Sequence, residues 1–198
     1  MSRTVWAALG GLVLGLLIAF VLVAWWLPGP RASVPSFSAA FPSDSGVETP
    51  SATRTSVGLP NPRLTPGSIN PNVTQDNLLT TICVSGWTAT VRPPSAYTTA
   101  LKLAQIVEYG YGDRSPSHYQ EDHLVALEIG GAPRDPRNLW PQPNEVQLPD
   151  GTAVGSGAKD GLEDYLHSAV CAGAMPLGDA QRLMAGDWIA AWEAAGRP

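Results

Sequence analysis

The sequence predicts an α+β protein in three parts: an N-terminal transmembrane helix, a disordered tether, and one small domain closed by a disulfide. Three observations carry that expectation. Residues 5–27 hold no charge and are dominated by Leu, Val, Ile, Ala and Gly; residues 28–72 turn to Pro, Ser, Thr, Gly and Ala; residues 73–198 mix strand-like and helix-like patterns. About 20 apolar residues cross the hydrocarbon core of a bilayer as a helix. Trp6 at one end of the run and Trp25-Trp26 at the other suit the membrane interface. A cleaved signal peptide is the alternative, although its apolar core is ordinarily shorter.

Arg3 marks the short end as cytoplasmic, but Arg31 just beyond the run weakens that asymmetry. Cysteine usage decides the orientation. Only Cys83 and Cys171 are present, far apart, and no Cys-x-x-Cys occurs. Such a pair suits one structural disulfide in an oxidising compartment, with two buried thiols as the alternative. The expectation is therefore a single-pass membrane protein whose C-terminal domain lies outside the cytoplasm. The tether at 28–72 has too little apolar surface to offset its ordering entropy. The remaining 73–198, about 125 residues, suffice for one domain with its own core.

Within that domain, Thr74-Gln75-Asp76-Asn77 with Leu78, Leu79 and Ile82 reads as a capped helical turn leading to Cys83. Residues 87–92 alternate and are rich in strand formers, then stop at Pro93-Pro94. A helix is predicted over 95–109, with Leu101, Ala104, Ile106 and Val107 toward the core and Gly110 ending it. Residues 122–129 read as a strand turned by Gly130-Gly131, and Leu139-Trp140 as a brief second strand halted by Pro141 and Pro143. Residues 147–157 read as loop with a turn at Asp150-Gly151. Helices follow over 158–170 and 179–195, the latter with an apolar stripe of Leu183, Met184, Trp188 and Trp192.

The chemistry concentrates between Tyr119 and Trp140. Asp122-His123 enters an apolar segment, Gly130-Gly131 turns it, a loop with Arg134 and Arg137 follows, and Asn138 opens the next segment. That order resembles the first two-thirds of an HNH, or ββα-metal, nuclease, covering about a quarter of the chain once a following helix is included. The resemblance implies a small ββα-metal core with additional helices. It implies His123 as the base that activates water, Asp122 as a ligand of a divalent cation, and Asn138 as the residue that pins the loop between the strands. Oxygen ligands suit Mg²⁺, with Mn²⁺ or Zn²⁺ as alternatives. The implied reaction is hydrolysis of phosphodiester bonds in DNA or RNA, the imidazole serving as base and the metal neutralising charge.

Two features fit the family poorly. Neighbours on a regular strand point to opposite faces, so Asp122 and His123 share a site only if the strand bends or ends there. No helical His or Asn follows Asn138 at the family's spacing; the first helix afterwards carries Lys159, Asp160, Glu163 and His167. Asp160 and His167 are the candidates to complete the metal site, against the alternative of a solvated polar face. Arg134, Arg137 and Lys159 are the candidates for phosphate contact, and His118 a possible accessory residue. The net charge of −5 opposes easy nucleic-acid binding. A non-enzymatic envelope domain that binds metal, protein or wall polymer is the second expectation. No nucleotide cofactor is expected, and the domain is expected to be a monomer.

Overall fold

The computed structural model describes residues 58–198. The elements are five α-helices, α1 (Trp87–Val91), α2 (Ser95–Glu108), α3 (Ser156–Cys171), α4 (Leu177–Ala185) and α5 (Trp188–Ala194), four strands, β1 (Tyr119–His123), β2 (Leu139–Pro143), β3 (Val146–Gln147) and β4 (Ala153–Val154), and four short 3-10 turns, the longest over Gln75–Thr80. Strands β1 and β2 form one antiparallel ribbon, and β3 and β4 a second, separate one. One face of the β1–β2 ribbon carries Trp140 into a core shared with Leu124, Val125 and Ile129, with Leu162 and Leu166 of α3, and with Met184 and Trp188 of α4 and α5. Helix α2 packs against the same ribbon. Cys83 and Cys171 are joined in a disulfide, Cα atoms 5.6 Å apart across 88 residues of chain, which ties the loop before α1 to the end of α3.

The expected fold class is corrected here. The described residues are α+β with two small sheets and a disulfide, and no helix among them is long and apolar enough to cross a membrane. The run at 5–27 read as an anchor lies outside the described residues, as does the first part of the expected tether. The rest of that tether is folded. Thr65 is fully buried, its hydroxyl 2.5 Å from that of Tyr109 and donating to the Leu139 carbonyl. Gly67 N–H donates to Arg137 O, Asn70 N–H to Gly130 O, and Ala132 N–H to Ser68 O. Composition alone suggests disorder, but a polar segment can order when a neighbouring loop satisfies its backbone groups.

Other elements differ from the sequence reading for local reasons. Residues 87–91 form a turn of helix rather than a strand: Gly86 supplies a left-handed residue (φ 80°) at its start, and the apolar edge of Trp87 leans on the core. The strand expected over 122–129 ends at His123, because the Asn138 side chain takes both backbone groups of Val125. Strand β2 runs through Pro141 and Pro143 instead of stopping. The Leu139 carbonyl accepts from Thr65 and Gln105, so that edge faces away from β1, and the prolines lack N–H groups only on that side. The expected loop contains the β3–β4 hairpin, with Gly151 (φ 85°) in its turn. The last expected helix is broken at Gly186, and Asp187 caps α5 by accepting from Ala190 N–H at 2.9 Å. On α2 the buried residues are Gln105 and Ile106, whereas Ala104 and Val107 are exposed.

Candidate functional site

The register of the ribbon sorts the candidate residues. Asp122 pairs with Trp140 and His123 with Leu139, so the two side chains leave opposite faces of β1. The strand does not bend to reunite them.

On the Trp140 face, Asp122 meets Lys159. The ammonium lies 2.7 Å from Asp122 Oδ2, contacts Glu163 Oε1 one turn along α3, and donates to the His123 carbonyl at 2.7 Å. Lys159 has no exposed side-chain surface. Burial alone would pull its pKa down, but the two carboxylates hold it above the ordinary lysine value. Burial pushes the Glu163 carboxyl up to about 8.

On the other face, His123 is 6% exposed and its Nε2 lies 3.0 Å from Pro133 O. A carbonyl only accepts, so Nε2 carries the proton and Nδ1 the lone pair. Burial lowers the His123 pKa, and the positive charges of Lys159 and Arg92 lower it further. The ring is neutral at pH 7. Asn138 fixes the loop that presents Pro133: it accepts from Val125 N–H at 2.9 Å and donates to Val125 O at 3.0 Å and Ala132 O at 3.1 Å. Both glycines of the turn are required. Gly130 has φ 79°, and a Cβ on Gly131 would sit 1.7 Å from Val125 O and 2.8 Å from Asn138 Nδ2.

Glu121 occupies the same face as His123, two residues earlier. Both its carboxylate oxygens are buried without a hydrogen-bond partner, and burial, with the Asp122 charge behind it, pushes its pKa up to about 8.

The expected metal ligands do not converge. Asp122 is held by Lys159, Asp160 is exposed on α3, and His167 points to the other end of the helix, its Nε2 2.9 Å from Ile82 O. Among the described residues, the one group of ligand atoms close enough to share an ion is Cys83, His167 and Cys171, all within 4.8 Å of one another. That group could hold a metal ion, but its two sulfurs are bonded to each other. The Mg²⁺ site expected at Asp122, Asp160 and His167 is thus corrected: the donor set does not fit. Lys159 is corrected as well, since a fully buried ammonium does not reach a phosphate. Arg137 is exposed but paired with Asp135 at 2.7 Å, while Arg134 is exposed and its carbonyl accepts from Tyr97. His118 sits 2.5 Å from Asp113 on the surface.

Sequence reasoning missed the ion-pair role of Lys159. Its signal was present: Lys159 falls on the stripe of Leu162, Leu166 and Ala169 that α3 buries. No family model, no curated protein and no solved structure matches the chain.

Proposed function

We propose that the chain cleaves phosphodiester bonds of nucleic acid with His123 as general base, the one role retained here from the ββα-metal nucleases that Asp122-His123, Gly130-Gly131 and Asn138-Leu139 resemble. The setting of His123 carries this reading. The imidazole is neutral, its proton is directed to Nε2 by the Pro133 carbonyl, and the loop bearing that carbonyl is pinned by three hydrogen bonds of Asn138. A base needs an available lone pair at working pH and a fixed orientation, and Nδ1 has both. Arg92 and Arg134 are exposed; the first is near enough to act on the His123 charge and the second adjoins Pro133. Two guanidinium groups beside the base offer local charge for a phosphate on an otherwise acidic domain. The 2′-hydroxyl of RNA or a water on DNA loses its proton to Nδ1 and attacks phosphorus, the P–O bond to the leaving sugar oxygen breaks, and that oxygen takes a proton from water. Lys159 neutralises Asp122 on the opposite face, so no step is routed through a metal there. The disulfide supports an oxidising compartment outside the cytoplasm.

The test is cleavage of single-stranded RNA and of supercoiled plasmid by the full chain, with Mg²⁺, with Mn²⁺ and with chelator. His123→Ala is expected to lower the rate about 10²–10⁴-fold while the fold persists. Cleavage is expected to survive chelator, and its rate to rise with pH through a pKa below the ordinary 6.5 and then level. The second reading, a binding module on the same frame, is favoured by one observation: the fully buried Lys159 fills the space beside Asp122. Wild-type protein that cuts neither substrate under any of the three conditions would leave that reading alone.

A further inference from the structure

The disulfide end of α3 holds a second constellation that the nuclease reading does not use. Cys83 and Cys171 are half-buried, and His167 lies one turn before Cys171 on α3. One ligand atom from each of the three falls within 4.8 Å of the others. We propose that the Cys83–Cys171 disulfide and a zinc site are alternative states of the same residues: reduction of the disulfide opens a Cys83–His167–Cys171 site that takes Zn²⁺.

Three observations independent of the sulfur spacing support this assignment. The first is the tautomer of His167. Its Nε2 lies 2.9 Å from the Ile82 carbonyl, which can only accept, so Nδ1 carries the lone pair. A ring whose far N–H is held by a backbone carbonyl is the usual arrangement of a metal-binding imidazole. The second is access. A cavity of about 350 Å³ opens here, lined by Ile82, Cys83, Val84, Glu128 and His167 among others. The third is Glu128, whose Oε1 is buried without a hydrogen-bond partner on this cavity wall. An unpaired carboxyl oxygen beside the ligands favours a cation over an anion.

The geometry needs little movement. Two Zn–S bonds of about 2.3 Å at a tetrahedral angle place the sulfurs roughly 3.8 Å apart. Cα atoms 5.6 Å apart allow this through side-chain rotation alone. Two thiolates and an imidazole select Zn²⁺ among divalent ions. The fourth position faces the cavity and is left to water.

The redox step balances with a dithiol as reductant. A thiolate of the dithiol attacks one cystine sulfur, forming a mixed disulfide and releasing the other cysteine as thiolate. The second thiol of the reductant then closes its own disulfide and frees the remaining cysteine. Two electrons pass from the dithiol to the cystine, and Zn²⁺ displaces any protons on the two sulfurs.

Co²⁺ reports such a site through its colour. The full chain is reduced with a water-soluble phosphine, freed of reductant without air, and titrated with Co²⁺ and then Zn²⁺. One equivalent of Co²⁺ is expected to bind only the reduced chain, with tetrahedral visible bands and sulfur-to-cobalt charge transfer, and Zn²⁺ is expected to bleach both. His167→Ala is expected to weaken binding at least about tenfold, while its disulfide forms as in wild type. A Cys83→Ser, Cys171→Ser chain should bind none. Near-ultraviolet circular dichroism follows the fold throughout. If the reduced chain loses structure, Co²⁺ should restore it. A reduced wild-type chain that shows no charge transfer, or an unchanged affinity in His167→Ala, overturns the proposal.

Discussion

Strand β1 buries two adjacent carboxyl groups and treats them in opposite ways. Asp122 faces α3 and receives an ammonium, whereas Glu121 faces the other side and has no hydrogen-bond partner for either oxygen. The two lie one residue apart, so sequence position does not distinguish them. What differs is the element on each side: α3 sets a buried ammonium 2.7 Å from Asp122, whereas Lys102 acts on Glu121 without forming an ion pair. Burial without a hydrogen-bond partner, with the Asp122 charge next to it, raises the Glu121 carboxyl to about 8. His123 shares the face, and there burial disfavours the charged ring and outweighs the Pro133 hydrogen bond and the Asp122 charge that favour it.

The largest effect expected from breaking this asymmetry is at Lys159. Lys159→Met strands Asp122 in the core without its counter-charge, and removing one partner of a buried pair typically costs about 3–5 kcal/mol. Denaturant unfolding should show that loss, and adding Asp122→Leu to the same chain should recover much of it. If Lys159→Met were as stable as wild type, the cluster would not be the ion pair described.

Glu121 should respond in the opposite sense. Its folded pKa is raised from the model-peptide range to about 8, so its contribution to stability is present below about pH 4.5 and is lost as pH rises toward 8. Glu121→Gln removes that titration. The variant is expected to be more stable than wild type at pH 9 by about 2–3 kcal/mol, allowing for partial solvent screening of a shift worth about 1.4 kcal/mol per unit. At pH 4 the two should be nearly equal. Glu163 titrates in the same window, so the difference between variant and wild type is the quantity that isolates Glu121. A constant difference across that range would mean that Glu121 is solvated.

Asn138→Ala sharpens the His123 side. It leaves the Val125 and Ala132 backbone groups unpaired, which costs about 1–3 kcal/mol. It should also free the Pro133 carbonyl from its fixed position, and because that hydrogen bond favours the charged ring, His123 should titrate still further below 6.5 by NMR. Loss of stability with an unmoved His123 titration would separate the loop from the imidazole.

Much of this was legible in the chain. Asp122-His123 before Gly130-Gly131 and Asn138 marked the central ribbon, because an αL glycine, a glycine under a carbonyl and a loop-pinning amide are local requirements that leave residue-type signatures. The cysteine pair was legible from its count alone. The start of the folded region was not: Thr65, Gly67 and Asn70 order by bonding to a loop some 70 residues away, and composition holds no trace of that partner.

What the sequence by itself determined is the inventory: which turns are possible, which helices have an apolar side, and which groups can ionise. Only the tertiary structure decided what each ionisable group faces. Alternation along a strand is strict, so Asp122 and His123 had to part. Which of them met a cation depended on Lys159, 37 and 36 residues further on, and on the register that laid α3 across one face of β1. Long-range charge pairing is set by packing, and short-range pattern does not encode it.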